Sequence, residues 1–562
     1  MINLLLSSIL SSLILITFGL SINKVRKLED LCLEGICAAI YISFAALLLN
    51  FFFPLSKNLN TALFILIIIF AVYKKINNYK NLIILSTLSG FISFLILSLD
   101  NIYRPDAGLY HIPYVATLNE NKIILGLANI HFRYGHTSIS QYLSAFYNNY
   151  IFNDKGITLP VASIFSLFFL YLIIEIKNNL KTNIIFTIFL LFTFIYLIFG
   201  YSRYSEFGND VTAHLYLFLV YYIFLKNFKQ EKLNIILINK LFLLSIFAFM
   251  QKISMVFTIF IPIYCFYFLK DKIKIINFSN IFSIFLVCLF LVKNILISGC
   301  LIYPIAATCS DKLYWYENGI ENPINAKFQS LDNEAWTKGW PDLKNKDIGQ
   351  KNYIKNFNWL ETWSKNHGLK IFNKIGIFLL FILLFFYLIK FKKNSPIKNK
   401  KNIFEDIKNN IIVLLSVSFI GSLVWFLRFP VFRYGSSYLV SLIILLSLLI
   451  FINNKYHPKI KIFKKTVNYF IIILIILFII KNLVRIFNRY NFHYYNYPWP
   501  KIYSERNDNA KLITEPIFIN NKLAYYFASE ECHYSLSPCT HIKNNNLTYD
   551  EKYNYKFFFI IK

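Results

Sequence analysis

Charged side chains are scarce in this sequence. Aspartate, glutamate, lysine and arginine make up 15% of the 562 residues, against about a quarter in soluble proteins. Acidic residues are the scarcer kind, 29 against 58 lysines and arginines. Their place is taken by hydrophobic residues, 57% of the chain with aromatics alone at 19%, and the mean hydropathy is +0.50. The apolar residues fall in long blocks rather than at amphipathic spacing, so a membrane is the natural solvent for most of the chain.

Other features are missing too. The first apolar block, 2–20, has no basic segment before it and no small-x-small site after it, so it reads as a retained first helix and not a cleaved leader. No repeat with a period of roughly 20–50 residues occurs, which argues against a solenoid. The formal charge of +29 would suit a nucleic-acid binder. Lysine and arginine sit instead in short clusters between apolar blocks, not along one face of a soluble domain, so nucleic acid is not an expected partner.

What is present is a series of blocks near the roughly 17–25 residues needed to cross a bilayer. They lie at 2–20, 31–53, 58–74, 81–98, 157–176, 183–200, 210–226, 233–250, 253–269, 277–298, 371–391, 409–427, 434–452 and 466–481. The expectation is an all-α polytopic membrane protein of about fourteen transmembrane helices. Alternate connections are basic, as at Lys24/Arg26/Lys27, Lys74/Lys75/Lys80, Lys226/Lys229/Lys232 and Lys455 to Lys465. The positive-inside rule puts these in the cytoplasm and both termini outside, in a bacterial inner (plasma) membrane. A transmembrane domain of 1–481 then carries outer loops at 99–156 and 299–370. A small extracytoplasmic tail domain, 482–562, follows, with β-like runs at 523–527 and 555–561.

Four cysteines, Cys32, Cys37, Cys265 and Cys288, lie within spans and read as packing residues. The pairs Cys300/Cys309 and Cys532/Cys539 fall in outer segments, where two local disulfides are expected. Zinc is the weaker reading, because neither pair is C-x-x-C and His533 is a single nearby ligand.

Polar residues concentrate at 100–141, where Asp106, His111, Asn129, His131, Arg133 and His136 crowd together. Two amphipathic helices are expected at the interface there, 110–118 with Asp106 at its N-terminus, and 138–152 with Tyr142, Leu143, Phe146 and Tyr147 on one side. The order Asp106, helix, Arg133-Tyr134-Gly135, helix, span resembles the first outer loop of the GT-C superfamily of integral-membrane glycosyltransferases, which includes protein O-mannosyltransferases and lipid A aminoarabinose transferases. YSRYSEFGNDVTAHLYLFLVYYIFL (201–225) is similar to that family's outer turn with an Arg entering the next span. KLFLLSIFAFMQKISMVFTIFIP (240–262) resembles its short helix, Lys-containing break and returning helix. KNILISGCLIYP and WFLRFPVFRYG look like outer-edge motifs of a bacterial group sharing a D-x-G-L-Y-H loop, whose tails carry a pattern similar to CHYSLSPCT. The likeness covers roughly 80–450. It departs from the family at Asp106-Ala107, where many members have a second acidic residue, and in lacking the Lys-Pro-Pro turn.

The resemblance implies transfer of a sugar from a polyprenyl-phosphate carrier to a glycan, lipid or protein acceptor at the outer membrane face. Asp106 would be the general base. Arg133, Arg203, Arg428 and Arg433, from three outer loops, would stabilise the departing phosphate. Lys252 sits at a break that falls short of a full crossing, and is either a phosphate partner or a snorkelling turn residue. His111 and His136 are further substrate-binding candidates, each with a plain hydrogen-bonding role as its alternative. Glu206 and Asp210 either bind acceptor or neutralise Arg203. The tryptophans 336, 340, 359 and 363 suit either sugar stacking or an interface belt. No cofactor is firmly implied, no metal ligand set is assigned, and divalent-metal dependence stays open. Two rivals remain: an O-antigen polymerase or ligase, and a transporter or flippase. The second predicts ionisable residues deep in several spans, where this chain has mainly Glu34 and Lys240.

Overall fold

The structure, a computed structural model, describes all residues except 75–78, 101–105, 137, 201–209, 230–234, 269–277, 318, 320–321, 323, 341–347, 390, 394–400, 454–455, 492–497, 501, 503–513 and 561–562. Each apolar block of the sequence is helical over most of its described residues. The helices are α1 Ile2–Ile22, α2 Leu28–Asn50, α3 Lys57–Tyr73, α4 Tyr79–Leu97, α5 Ile112–Glu120, α6 Ser140–Phe146, α7 Leu159–Asn179, α8 Ile184–Gly200, α9 Asp210–Asn227 and α10 Ile235–Gln251. They continue with α11 Phe260–Tyr267, α12 Phe278–Ser298, α13 Ala326–Thr337, α14 Gln350–Ile354, α15 Leu360–Trp363, α16 Leu369–Leu388, α17 Lys401–Arg428, α18 Phe432–Asn453 and α19 Ile460–Asn491. Among the described residues nine helices are long and apolar enough to cross a membrane, and four further apolar helices are shorter. The protein is therefore a polytopic, mainly helical membrane protein.

Bilayer helices cannot rely on the hydrophobic effect to find one another, so close backbone approach and interhelical hydrogen bonds do the work. Gly19 of α1 lies against the backbone of Glu34, where an added Cβ would stand 2.2 Å from the carbonyl oxygen. Gly90 of α4 lies in the same way against Ile9, 2.6 Å from its Cα. Serine pairs bridge the helices these contacts bring together: Ser11–Ser163 at 2.7 Å, Ser12–Ser89 at 2.8 Å and Ser93–Ser166 at 2.8 Å. Helices α1, α2, α4 and α7 thus form a tight group, and α8 and α9 are buried on nearly every side. Helices α16 and α19 are mostly exposed and apolar, the character of a lipid-facing surface.

Glu34 and Lys240 are paired with each other at 3.0 Å, and Asn23 donates to Glu34 at 2.9 Å. Glu175 is likewise held by Lys226 at 2.7 Å and by Tyr222 and Asn179. Neither pair leaves an uncompensated charge, as a buried ion requires.

The tail is β-structured. Strand β1 (Thr514–Ile519) pairs antiparallel with β2 (Lys522–Ala528), which takes β3 (Cys539–Thr540) in parallel, and β4 (Leu547–Lys552) forms a hairpin with β5 (Tyr555–Ile560). Helix α19 runs ten residues past 481, so the tail proper starts later than the hydropathy suggests. It is not detached: Leu125 bridges Phe557, and Asn129 donates to the Phe558 carbonyl at 2.8 Å. Cys300–Cys309 and Cys532–Cys539 are disulfide-bonded.

The second helix expected in the first outer loop is shorter than 138–152. Helix α6 stops at Phe146 because the buried side chain of Asn60 takes the carbonyls of Ala145 and Asn148, at 2.9 and 2.8 Å, and Asn149 folds the next turn around its own side chain. Every residue of α6 is buried inside the protein, covered by α2, α5 and α7, so its apolar side meets helices and not lipid.

Candidate functional site

The run Asp-Ala-Gly-Leu-Tyr-His does not continue directly into an α-helix. Residues Ala107–His111 form one π-helical turn ahead of α5, whose first turn holds Pro113. A π-turn opens the backbone ladder and re-aims its side chains, and such turns gather at functional sites. Here it leaves Asp106 at its leading edge, with the side chain 39% exposed.

Three more segments meet it. Helix α17 ends at Arg428 and the chain turns tightly into α18, the turn being held by Trp425 Nε1 donating to the Val431 carbonyl at 2.8 Å. Arg433 therefore stands in the first turn of α18, and its Nη1 lies 3.0 Å from Asp106 Oδ2. Asp210 begins α9, with Oδ2 4.0 Å from Arg433 Nε. Lys252 caps the short 3-10 turn Ile253–Ile259 after α10 and donates to Asp210 Oδ1 and, at 3.1 Å, to the Arg433 carbonyl. It also lies 4.0 Å from the centre of the Tyr434 ring. Ser254 binds the Tyr434 carbonyl at 2.9 Å, and His214 of α9 binds the Arg433 carbonyl at 2.9 Å and Ser437 at 2.7 Å. Two carboxylates and two cations from four distant stretches of chain thus interlock, with Asp210 and Lys252 almost out of reach of solvent.

The first outer loop supplies a neutral donor beside them. The Ser138 amide donates to Gln141 Oε1 at 2.9 Å, which fixes the orientation of the Gln141 amide. Its nitrogen then faces His111 Nδ1 at 3.1 Å, so Nδ1 is the acceptor and the proton of neutral His111 is on Nε2. Burial, opposed by the charges of Asp106 and Asp210, holds His111 down at about 4. Burial likewise raises the Tyr110 phenol, and the Asp106 charge raises it further.

The other expected residues go elsewhere. Arg133 lies over the rings of Phe132 and Tyr110, at 5.0 and 5.9 Å, and donates to Asn333 of α13 at 2.9 Å, so it borders the cluster without joining its ion pairs. His136 is packed edge-on against Tyr303, in the loop of the first disulfide. Arg428 is bound to Glu334 at 2.7 Å, which also holds Lys338 at 2.6 Å; this group ties α13 to the end of α17. Trp359 and Trp363 pack with Phe426, Trp363 donates to the Pro430 carbonyl, and Trp336 is 43% exposed. Arg203 and Glu206 lie outside the described residues. Tyr110, Gln141, His214 and Tyr434 were not singled out from the sequence, being residue types that usually pack or turn. Among the described residues no three of His, Cys, Asp and Glu stand close enough together to share a metal ion.

The buried imidazoles predict an acid-sensitive outer loop. Burial, aided by neighbouring charges, lowers His131 and His136 to about 3 each. The folded protein leaves them neutral where the unfolded chain, near pKa ~6.5, takes up protons. The stability this confers is complete above about pH 6.5 and is lost as the pH falls toward the folded values. His131, 2% exposed, should alone make the protein about 1 kcal/mol less stable at pH 5.5 than at pH 7.5. Thermal unfolding of the detergent-purified protein at the two values measures this, and His131→Asn should flatten the dependence.

Residues 1–440 match the family model described as a domain of unknown function, DUF8201, and the chain belongs to that family. No curated protein and no solved structure matches it.

Proposed function

We propose that this DUF8201 member is a membrane glycosyltransferase of the GT-C type, acting on a polyprenyl-phosphate-linked sugar at the outer face of a bacterial inner membrane. In this reading about fourteen helices span the bilayer and both termini are extracytoplasmic. The observation that carries it is the convergence of Asp106, Asp210, Lys252 and Arg433 at the outer ends of α9, α10 and α18.

The chemistry follows from what each group can do. An acceptor hydroxyl attacks the anomeric carbon as the bond to the phosphate oxygen breaks. Asp106 takes the hydroxyl proton, and the polyprenyl phosphate leaves with the bonding pair. Arg433 presents a planar fork that suits a phosphate as well as a carboxylate. An arriving phosphate competes with Asp106 for that fork, freeing the carboxylate to act as base. Lys252, kept in place by Asp210, adds a second fixed cation, and His111 Nε2–H adds a neutral donor. Such donors are worth most where they are already oriented before the reaction.

The test is transfer of radiolabelled sugar from a panel of polyprenyl-phosphate donors, in membranes containing the protein and in membranes lacking it. Covalent label on a glycan, lipid or protein only when the protein is present is the expected result. Label that crosses the bilayer without changing its carrier would overturn the transferase reading in favour of a flippase.

A further inference from the structure

The C-terminal tail lies beyond residue 440, where the family match stops, yet its disulfide-closed loop touches the first outer loop at positions from Gly108 to Asn148. Ser537 bonds the Ala116 carbonyl at 3.3 Å and Glu120 Oε2 at 2.8 Å. Tyr534 donates to Asn119 Oδ1 at 3.1 Å, and Thr540 to the Ile130 carbonyl at 3.3 Å. Cys532 and Cys539, both buried, close this loop.

The tail also meets the backbone at Gly108, two residues from Asp106. The His533 amide donates to the Gly108 carbonyl at 2.8 Å. A Cβ at position 108 would stand 1.9 Å from Glu531 Oε2 and 2.6 Å from His533 Cε1. Glycine therefore lets these two side chains lie directly on the π-turn backbone. His533 and Glu531 are 12% and 15% exposed, with Nε2 3.2 Å from Oε2. A single π-turn has few backbone bonds of its own to resist rotation. It is pinned from outside at three points: Asp106 by Arg433, Gly108 by the tail, and His111 by Gln141.

We infer that the tail is a working part of the site, in which His533 and Glu531 are positioning residues that hold the turn presenting Asp106 to Arg433. The consequence for transfer rests on the function proposed above; the clamp itself does not. A reacting group displaced by about 1 Å can cost on the order of a hundredfold in rate, so loosening this contact should act on the chemical step more than on donor binding.

Two measurements on the full-length protein test this. In an Asp106→Cys, Cys288→Ser chain, alkylation of position 106 by a maleimide reports how firmly the turn is held, because the outer native cysteines are disulfide-bonded and Cys32, Cys37 and Cys265 are buried. Adding Gly108→Ala, or Glu531→Ala in case the first variant folds poorly, should speed alkylation about tenfold, the exposure expected of a turn that opens locally. Glu531→Gln, which keeps the shape, should restore the slow rate. An alkylation rate indifferent to both alanine variants overturns the clamp. With Asp106 in place, the same variants should lower kcat while leaving the donor KM unchanged, and a loss confined to KM overturns the positioning role. If the wild-type protein transfers no sugar, the function fails by itself, and the alkylation result still decides the clamp.

Discussion

Asp106→Asn should reduce sugar transfer by about 10²–10⁴-fold, the range expected for loss of a positioned general base, while leaving the protein folded and able to bind donor. Asparagine has the shape of aspartate and keeps an oxygen that can accept from Arg433 Nη1, now 3.0 Å from Asp106 Oδ2. Arg433 also retains Asp210 as its second carboxylate, so the fork should stay where it is. What the substitution removes is the ability to take a proton from the acceptor hydroxyl. Single-turnover transfer in detergent, with thermal unfolding measured on the same preparations, separates the two. Equal rates in wild type and variant would leave Asp106 as an orienting partner of Arg433 and take it out of the chemistry.

The sequence discloses the helices well because the bilayer imposes a coarse rule on it. An apolar run of sufficient length has few alternatives to a helix when water cannot satisfy its backbone. Charge placement was informative too: Lys252 and Arg433 were recognisable as candidates because the connections between the basic ones carry few cations, and Asp106 and Asp210 because they stand in the loop motifs of those connections. Which of them meet is a different matter. Asp210 had Arg203 as its obvious neighbour along the chain; among the described residues it binds Lys252 and approaches Arg433, partners that lie far from it in sequence. Arg428 and Arg433 are close in sequence, but the turn between α17 and α18 sends one to Glu334 and the other to Asp106. The first outer loop misled in another way. The apolar side of 138–152 looked made for a membrane interface, but a buried surface in protein has the same pattern. What covers it is Ser11 of α1, Phe64 of α3 and Tyr114 of α5, the first of them 136 residues back along the chain, and no local periodicity reports a contact of that range.

The Asp210–Lys252 pair makes the second strong prediction, because it distinguishes a structural ion pair from one that waits for a phosphate. Both side chains are close to fully buried, 11% and 12% exposed. Removing one partner strands the other, which typically costs about 3–5 kcal/mol. Asp210→Asn should incur a cost of that kind, since it removes the carboxylate paired with Lys252 Nζ inside the protein. Lys252→Met should cost less, because Arg433 Nε stands 4.0 Å from Asp210 and can take up part of the charge. The double variant, Asp210→Asn with Lys252→Met, removes both charges together and should recover much of the thermal stability lost by Asp210→Asn. Transfer should not recover with it. A neutral pair can fill the space between α9, α10 and α18, but it offers no cation to the phosphate leaving the donor. A double variant that is both stable and fully active would make the pair scaffolding, and would leave Arg433 and His111 to stabilise the leaving group without Lys252.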